Sequence, residues 1–329
     1  MVFLAAIFLI LAVVLTPKAA TNFPFFLQIV IYGIADGAIF ALIALGYTMV
    51  YGIIELINFA HGDIFTLGAF MSMPLISAFG LSEGQSSGVV VWLLLLVITV
   101  IVMVINGGVN VLIERVAYRP LRHAPRLAPL ITAVGVSFIL EGIMYVWRGA
   151  SNVHYPDLLP DTRIPLIGSA SLGVKDIIVI VTAIVLVVLL TIFIGGTRLG
   201  KAMRATAQDR EAAQLMGIDI NRTISATFFI GAVLAGAGGV IFGLYFNSVR
   251  FDLGFEAGLF AFTAAVFGGI GNLQGAALGG LFIGLVQAFA TANFLPGGAA
   301  VSDIWVFMIL IIVLVFRPTG LLGMQVPEK

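Results

Sequence analysis

Apolar positions along this chain fall in unbroken runs of helix length separated by short polar stretches. The runs lack the strict polar-apolar alternation of a membrane barrel strand. A helix needs about 20 apolar residues to cross the hydrocarbon of a bilayer, with about 17 to 25 the usual range. By that measure residues 25–50, 59–79, 89–111, 127–147, 177–194 and 223–246 are predicted spans. Residues 255–270 and 273–292 are predicted to form a hairpin broken at Gly268-Gly269-Ile270-Gly271-Asn272, and 304–316 closes the series. The first apolar run, residues 1–15, has no basic flank before it and a poor small-residue cleavage site after it, so 1–20 reads as a retained transmembrane segment, with a removed signal peptide as the alternative. The expected fold is all-α: a single polytopic helical membrane domain over residues 1–329 with about eight to ten transmembrane helices.

The glycine pairs Gly33/Gly37, Gly239/Gly243, Gly275/Gly279 and Gly280/Gly284 repeat at one-turn spacing and read as close helix contacts. Composition removes the soluble alternative. With 61% hydrophobic and 10% charged residues, a water-soluble globule would expose large apolar patches. Sixteen basic residues balance sixteen acids, which gives no reason to expect a nucleic-acid partner, and the absence of cysteine excludes disulfides and thiolate chemistry.

Where the charges lie says more than their sum. Arg115, Arg119, Arg122 and Arg126 crowd one short loop, and the polar island 195–222 carries Arg198, Lys201, Arg204, Arg210 and Arg222. Short loops rich in Lys and Arg stay cytoplasmic. Two spans separate these loops, so both can face the cytoplasm. The same parity puts 148–176 outside as a surface loop and the C-terminus inside. Within the island, 205–216 is predicted to form one amphipathic helix stopped by Gly217. Gly195-x-x-x-x-Gly200-Lys201 imitates the start of a phosphate loop, but Ala202 stands where Ser or Thr would hold magnesium, and a membrane span precedes it instead of a strand.

Glu55, Asn58, His61 and Asp63 cluster between two apolar runs. Ionisable groups near hydrocarbon are costly unless paired or hydrated, so they are candidates for lining or gating a pathway. The competing reading is a turn with Asn58 as helix N-cap. If helical, Glu55, Asn58 and His61 share one face; Gly52 and Gly62 allow a broken helix instead. Asp36 and Glu141 are lone acids within apolar spans. One His and two unaligned carboxylates make a poor metal site, and the sequence offers no catalytic nucleophile, so neither metal nor catalytic residues are assigned.

Residues 46–70 (GYTMVYGIIELINFAHGDIFTLGAF), 114–140 (ERVAYRPLRHAPRLAPLITAVGVSFIL), the island 195–222, and 262–285 (FTAAVFGGIGNLQGAALGGLFIGL) resemble the branched-chain amino acid ABC importer permeases, in particular the shorter leucine/isoleucine/valine membrane subunit. The likeness runs from about residue 25 to 323. It implies an ABC importer permease fold in the bacterial inner membrane, working with a second homologous permease as a heterodimer, two cytoplasmic ATPase subunits and an external solute-binding protein. It also implies that this chain binds no cofactor, ATP and Mg being held by the partner ATPases. In such importers a Glu-Ala-Ala-x-x-x-Gly loop enters the ATPase, and Glu211-Ala212-Ala213-Gln214-Leu215-Met216-Gly217 matches it without the Ile-x-Leu-Pro that often follows. Arg204, Asp209, Glu211, Ala212 and Gly217 are thereby implied as coupling residues. Urea or short-amide transport is the nearest alternative, and a gradient-driven secondary transporter using Asp36, Glu55 or Glu141 is a further one.

Overall fold

The computed structural model describes residues 21–54, 58–84, 88–122, 124–125, 127–317 and 319–323. The N-terminal apolar run and Glu55 lie outside the described residues. The helices are α1 (Phe23–Ile54), α2 (Ala60–Ala78), α3 (Val89–Ile113), α4 (Leu127–Arg148), α5 (Val174–Gly196), α6 (Arg198–Gln208), α7 (Arg210–Leu215), α8 (Ile220–Phe246), α9 (Leu253–Gly268), α10 (Leu273–Thr291) and α11 (Ser302–Phe316). Helix α3 runs on into a π-helical turn, Glu114–Tyr118, and a 3-10 turn, Arg119–Leu121. Seven helical segments among the described residues are long and apolar enough to cross a membrane, α9 is a shorter apolar helix of 16 residues, and α2 has 19 residues. Each of the nine predicted spans from residue 25 onward corresponds to one of these helices, with ends shifted by only a few residues.

Helix α1 is apolar on every side, which suits a helix surrounded by others and not one with a single face against a core. Its most apolar window is 78% buried, as is that of α8, whereas the windows of α3, α4, α5 and α11 are 17–28% buried and present their apolar faces outward. The bundle therefore has a buried centre, in which α2 and α9 join α1 and α8, and outer helices whose exposed surface suits lipid or a partner chain. Lipid tails are as apolar as leucine, so the centre is held by close packing and interhelical hydrogen bonds more than by burial itself.

The glycines supply that closeness. Gly33 and Gly37 of α1 meet Leu285 and Leu281 of α10; a Cβ on Gly37 would stand 2.7 Å from the Leu281 Cα. In return, Gly280 and Gly284 of α10 take up Ala41 and Gly37 of α1. Gly68 of α2 faces Gly236 of α8, with 2.8 Å from a built Cβ to the Gly236 Cα. Polar side chains then fix the register. Asn106 Nδ2 of α3 donates to the Ile64 carbonyl of α2 at 2.8 Å, and Asn110 Nδ2 donates to the Phe228 carbonyl of α8 at 2.8 Å.

At one end of the bundle, short strands close the surface. Strand β1 (Val153–His154) pairs antiparallel with β4 (Ser248–Val249), and β2 (Arg163–Pro165) pairs with β3 (Ser171–Gly173). Tyr155 is buried beneath them and its hydroxyl lies 2.6 Å from Ser72 Oγ of α2. Burial pushes the Tyr155 phenol pKa up, partly offset by that hydrogen bond. The predicted surface loop 148–176 is thus a small folded cap with its own buried aromatic.

Candidate functional site

The end of the bundle opposite the cap carries the sequence-predicted site residues. Helix α1 has 32 residues, so at 1.5 Å per residue it is about 48 Å long, more than the roughly 30 Å of hydrocarbon. Its last turn lies against the polar island.

The island differs from its prediction. Instead of one helix over 205–216 there are two, α6 and α7, broken at Asp209, whose backbone is extended (φ −154°, ψ 113°). The reason is local: Asp209 Oδ1 accepts from the Ala212 N–H at 3.0 Å, and an Asp is worth more as an N-cap than inside a helix. Thr197 caps α6 in the same way, accepting from Gly200 N at 3.0 Å. The stop at Gly217 is as expected. Its φ of +84° permits Gly217 N to bond Gln214 O and Ile218 N to bond Ala213 O, both at 3.0 Å, closing α7. Gly200 of the false phosphate loop has a packing reason, because any Cβ there would overlap the Ile194 carbonyl.

The implied coupling residues divide by direction. Arg204 turns back on its own polypeptide, donating to the Ile194 and Gly195 carbonyls at the C-terminal end of α5, where a cation is favourable. Glu211 and Ala212 are exposed on α7, followed by Leu215 at 88% and Met216 at 83% exposure. Ala213 is buried and seats the helix on the bundle. Leu215 and Met216 leave an apolar tip on an otherwise polar segment.

Arg210, which sequence reasoning did not single out, links this surface to the bundle. Its Nη2 and Nε donate to the Ile53 carbonyl at 2.8 and 3.3 Å, at the end of α1 and just before the polar cluster. Asn58 and Phe59 are not helical and α2 begins at Ala60, so the chain breaks its helix at Asn58–Phe59, and Asn58 stands outside the helix that carries His61 and Asp63.

The reading of Asn58 as N-cap is corrected. Its Oδ1 accepts from the Tyr118 hydroxyl at 2.7 Å, and the cap position, Phe59, forms no side-chain bond. A buried phenol on the π-helical turn outcompetes the local N–H groups. That turn is itself anchored: Glu114, fully buried, accepts from Arg122 Nη2 and, at 2.7 Å, from Ser225 Oγ of α8, while Arg122 Nη1 reaches Asn221 Oδ1 at 2.6 Å. Burial lowers the Arg122 pKa from its ordinary value, and Glu114 opposes the shift.

His61 and Asp63 are buried in the first turn of α2. The His61 ring packs edge-on against Tyr47 with centroids 5.0 Å apart, in a notch where a Cβ on Gly46 would collide with the ring. Among the described residues, neither ring nitrogen has a hydrogen-bond partner of normal geometry. Asp63 Oδ2 accepts from Ser137 Oγ of α4, and its position at a helix N-terminus favours negative charge. The structure thus gathers Asn58, His61 and Asp63 at the break, but as buried packing and hydrogen-bonding groups.

A cavity of about 670 Å³ opens elsewhere, between α1, α8, α9 and α10 towards the cap. Asp36 lines it; Asn58, His61 and Asp63 do not.

The family described as "Branched-chain amino acid transport system / permease component" matches residues 29–314. The chain is 41% identical over 312 residues to the high-affinity branched-chain amino acid transport system permease protein BraD of Pseudomonas aeruginosa, covering 92% of this chain and 98% of the relative. It is 40% identical over 313 residues to the corresponding permease protein LivH of Escherichia coli K12, covering 94% and 99%. A probable LivH of Methanocaldococcus jannaschii is 26% identical over 314 residues, covering 89% and 92%.

Proposed function

Because the chain belongs to the family of branched-chain amino acid transport system permease components, we propose that it is the translocating membrane subunit of an ABC importer for leucine, isoleucine and valine. In this reading it pairs with a second, related permease, docks two ATPase subunits that hold ATP and Mg, and receives substrate from a solute-binding protein. It lies in a bacterial inner membrane with the C-terminus and α6–α7 in the cytoplasm and the cap outside.

The observation that carries the coupling part is the placement of α7. One side, with Glu211, Leu215 and Met216, is bare, and the other holds the end of α1 through Arg210 and Ile53. A partner shifts a two-state equilibrium only by binding one state better than the other. An ATPase that grips α7 differently when nucleotide closes it pulls on the Ile53 carbonyl, next to the helix break. The second attachment of the break, Asn58 to Tyr118, leads through Glu114 and Arg122 to α8, which follows the same island. The loop and the break are therefore joined through two sets of contacts, a requirement for mechanical coupling.

The test is uptake. The chain is expressed with its partner subunits and binding protein in cells lacking their own branched-chain uptake, and labelled leucine, isoleucine, valine and urea are supplied. Accumulation of the three amino acids, abolished when the partner ATPases are inactivated, is expected. Accumulation of urea alone, or leucine uptake that survives loss of the ATPases and collapses with an uncoupler, overturns the reading.

A further inference from the structure

The cavity beneath the cap has a chemical polarity that the packing of the bundle does not require. Its walls are apolar, with Ile29, Ile39, Phe40 and Phe260 among them. Its volume of about 670 Å³ lies within the roughly 300–1,000 Å³ of small-molecule sites. Set into these walls are Asp36 and Glu256, and no Lys or Arg lines the cavity. Among the described residues, no hydrogen bond or ion pair reaches the Asp36 carboxylate. An acid inside an apolar helix is costly unless something cationic or hydrated answers it.

The two phenols on the wall sharpen the pattern. Tyr245 donates its proton to Asp176 Oδ1 at 2.8 Å, and Asp176 Oδ2 is occupied by the Gly173 N–H at 2.9 Å. The Tyr245 oxygen can therefore only accept from the cavity, like the carboxylates. Tyr32 is the reverse: its oxygen accepts from Arg163 Nη1 of β2 at 3.2 Å, so its own proton is free to be donated. Asp36 and Tyr245 thus form a region of acceptors, with Glu256 elsewhere on the same wall. Tyr32 and the exposed Arg163 form a cationic, donating rim beside it.

Building on the proposed function, we infer that this cavity is a transient substrate site for a zwitterionic α-amino acid with a branched apolar side chain. The ammonium goes to Asp36, with the Tyr245 oxygen beside it, the carboxylate goes to Arg163 and Tyr32, and the side chain lies among Ile29, Ile39, Phe40 and Phe260. The cap strand β2 is then part of the site, because it supplies the arginine.

The assembled complex in nanodiscs, without binding protein, is titrated with labelled leucine, and the bound label is competed by two truncated analogues. One is 4-methylpentanoate, which lacks the ammonium; the other is 3-methylbutylamine, which lacks the carboxylate. The wild-type complex is expected to bind leucine saturably and to prefer it at least tenfold over either analogue. Asp36→Asn is expected to abolish the preference over 4-methylpentanoate but not over the amine, and Arg163→Ala the preference over 3-methylbutylamine but not over the acid. Leucine imported per ATP hydrolysed should fall at least tenfold in Asp36→Asn and recover in part in Asp36→Glu. If Asp36→Asn fails to assemble, Asp36→Glu and the surface variant Arg163→Ala carry the same competition test. No saturable leucine binding by the wild type, or variants that discriminate as it does, overturns the inference. A wild-type complex that imports no branched-chain amino acid instead overturns the functional reading on which it rests.

Discussion

At the scale of single residues, whether a glycine matters depends on what its missing Cβ would touch. Gly37 and Gly108 both lie in apolar helices, yet a Cβ on Gly37 meets the α10 backbone at 2.7 Å, whereas one on Gly108 meets nothing within 4 Å. Backbone cannot yield as a side-chain tip does, and overpacking of this kind costs about 1–3 kcal/mol. Gly37→Ala is expected to lower the thermal unfolding midpoint of the detergent-solubilised permease by several degrees and Gly108→Ala to leave it unchanged or raised; equal shifts would refute the packing account. The Gly33/Gly37 and Gly280/Gly284 spacing made this contact legible in the sequence, because both partners repeat at one helical turn. Asn106 and Asn110 were not legible in the same way. Their acceptors, the Ile64 and Phe228 carbonyls, belong to other helices, and an amide in an apolar run reads the same whether it faces a backbone or water. Asp36 was visible as a lone acid, but its cavity is closed by α8, α9 and α10, which lie far from α1 in sequence.

At the scale of elements, the island shows where local pattern suffices and where it fails. Charge and periodicity located a surface helix stopped at Gly217, and a residue with φ of +84° stands at that stop. They missed the break at Asp209, since an acid in an amphipathic stretch satisfies the helical pattern as well as it satisfies a cap. They also missed Arg210, whose acceptor is a carbonyl 157 positions away. These two details set an order of effects. No heavy atom approaches a Cβ on Gly217 within 4 Å, so only its left-handed backbone resists substitution, and Asn tolerates that region better than Ala or Val. Leucine uptake by the assembled complex is expected to decline from wild type through Gly217→Asn to Gly217→Ala and Gly217→Val. Arg210→Ala, which frees the Ile53 carbonyl, is expected to lower leucine imported per ATP hydrolysed by about tenfold, equivalent to about 1.4 kcal/mol of lost coupling. Unchanged stoichiometry in an Arg210→Ala complex that hydrolyses ATP would show that α7 acts on the bundle by another route.

For the whole molecule, the spans and the two-ended arrangement were both readable from apolar runs and arginine placement, because bilayer thickness and the cost of moving cations across it act on local sequence. The contacts bring the predicted loops together at two opposite ends. At one, the Ser171 N–H meets Gln28 Oε1 at 2.8 Å, His154 meets Glu83, and Phe25 stacks on Phe294 at 5.6 Å. At the other, Arg210 meets Ile53, Arg122 meets Asn221, and Asn272 Nδ2 donates to the Leu322 carbonyl at 2.8 Å. In the proposed orientation the arginines of the second end lie in the cytoplasm, and that sets which face each partner can reach. The absence of cysteine makes this directly measurable. Ser169 lies exposed in the cap and Gln208 lies exposed at the end of α6. In intact cells or spheroplasts, a membrane-impermeant maleimide should label a Ser169→Cys chain at once and a Gln208→Cys chain only after permeabilisation. The reverse pattern would put α7 outside, beyond the reach of any cytoplasmic ATPase, and the coupling role of Glu211 and Gly217 would fall with it.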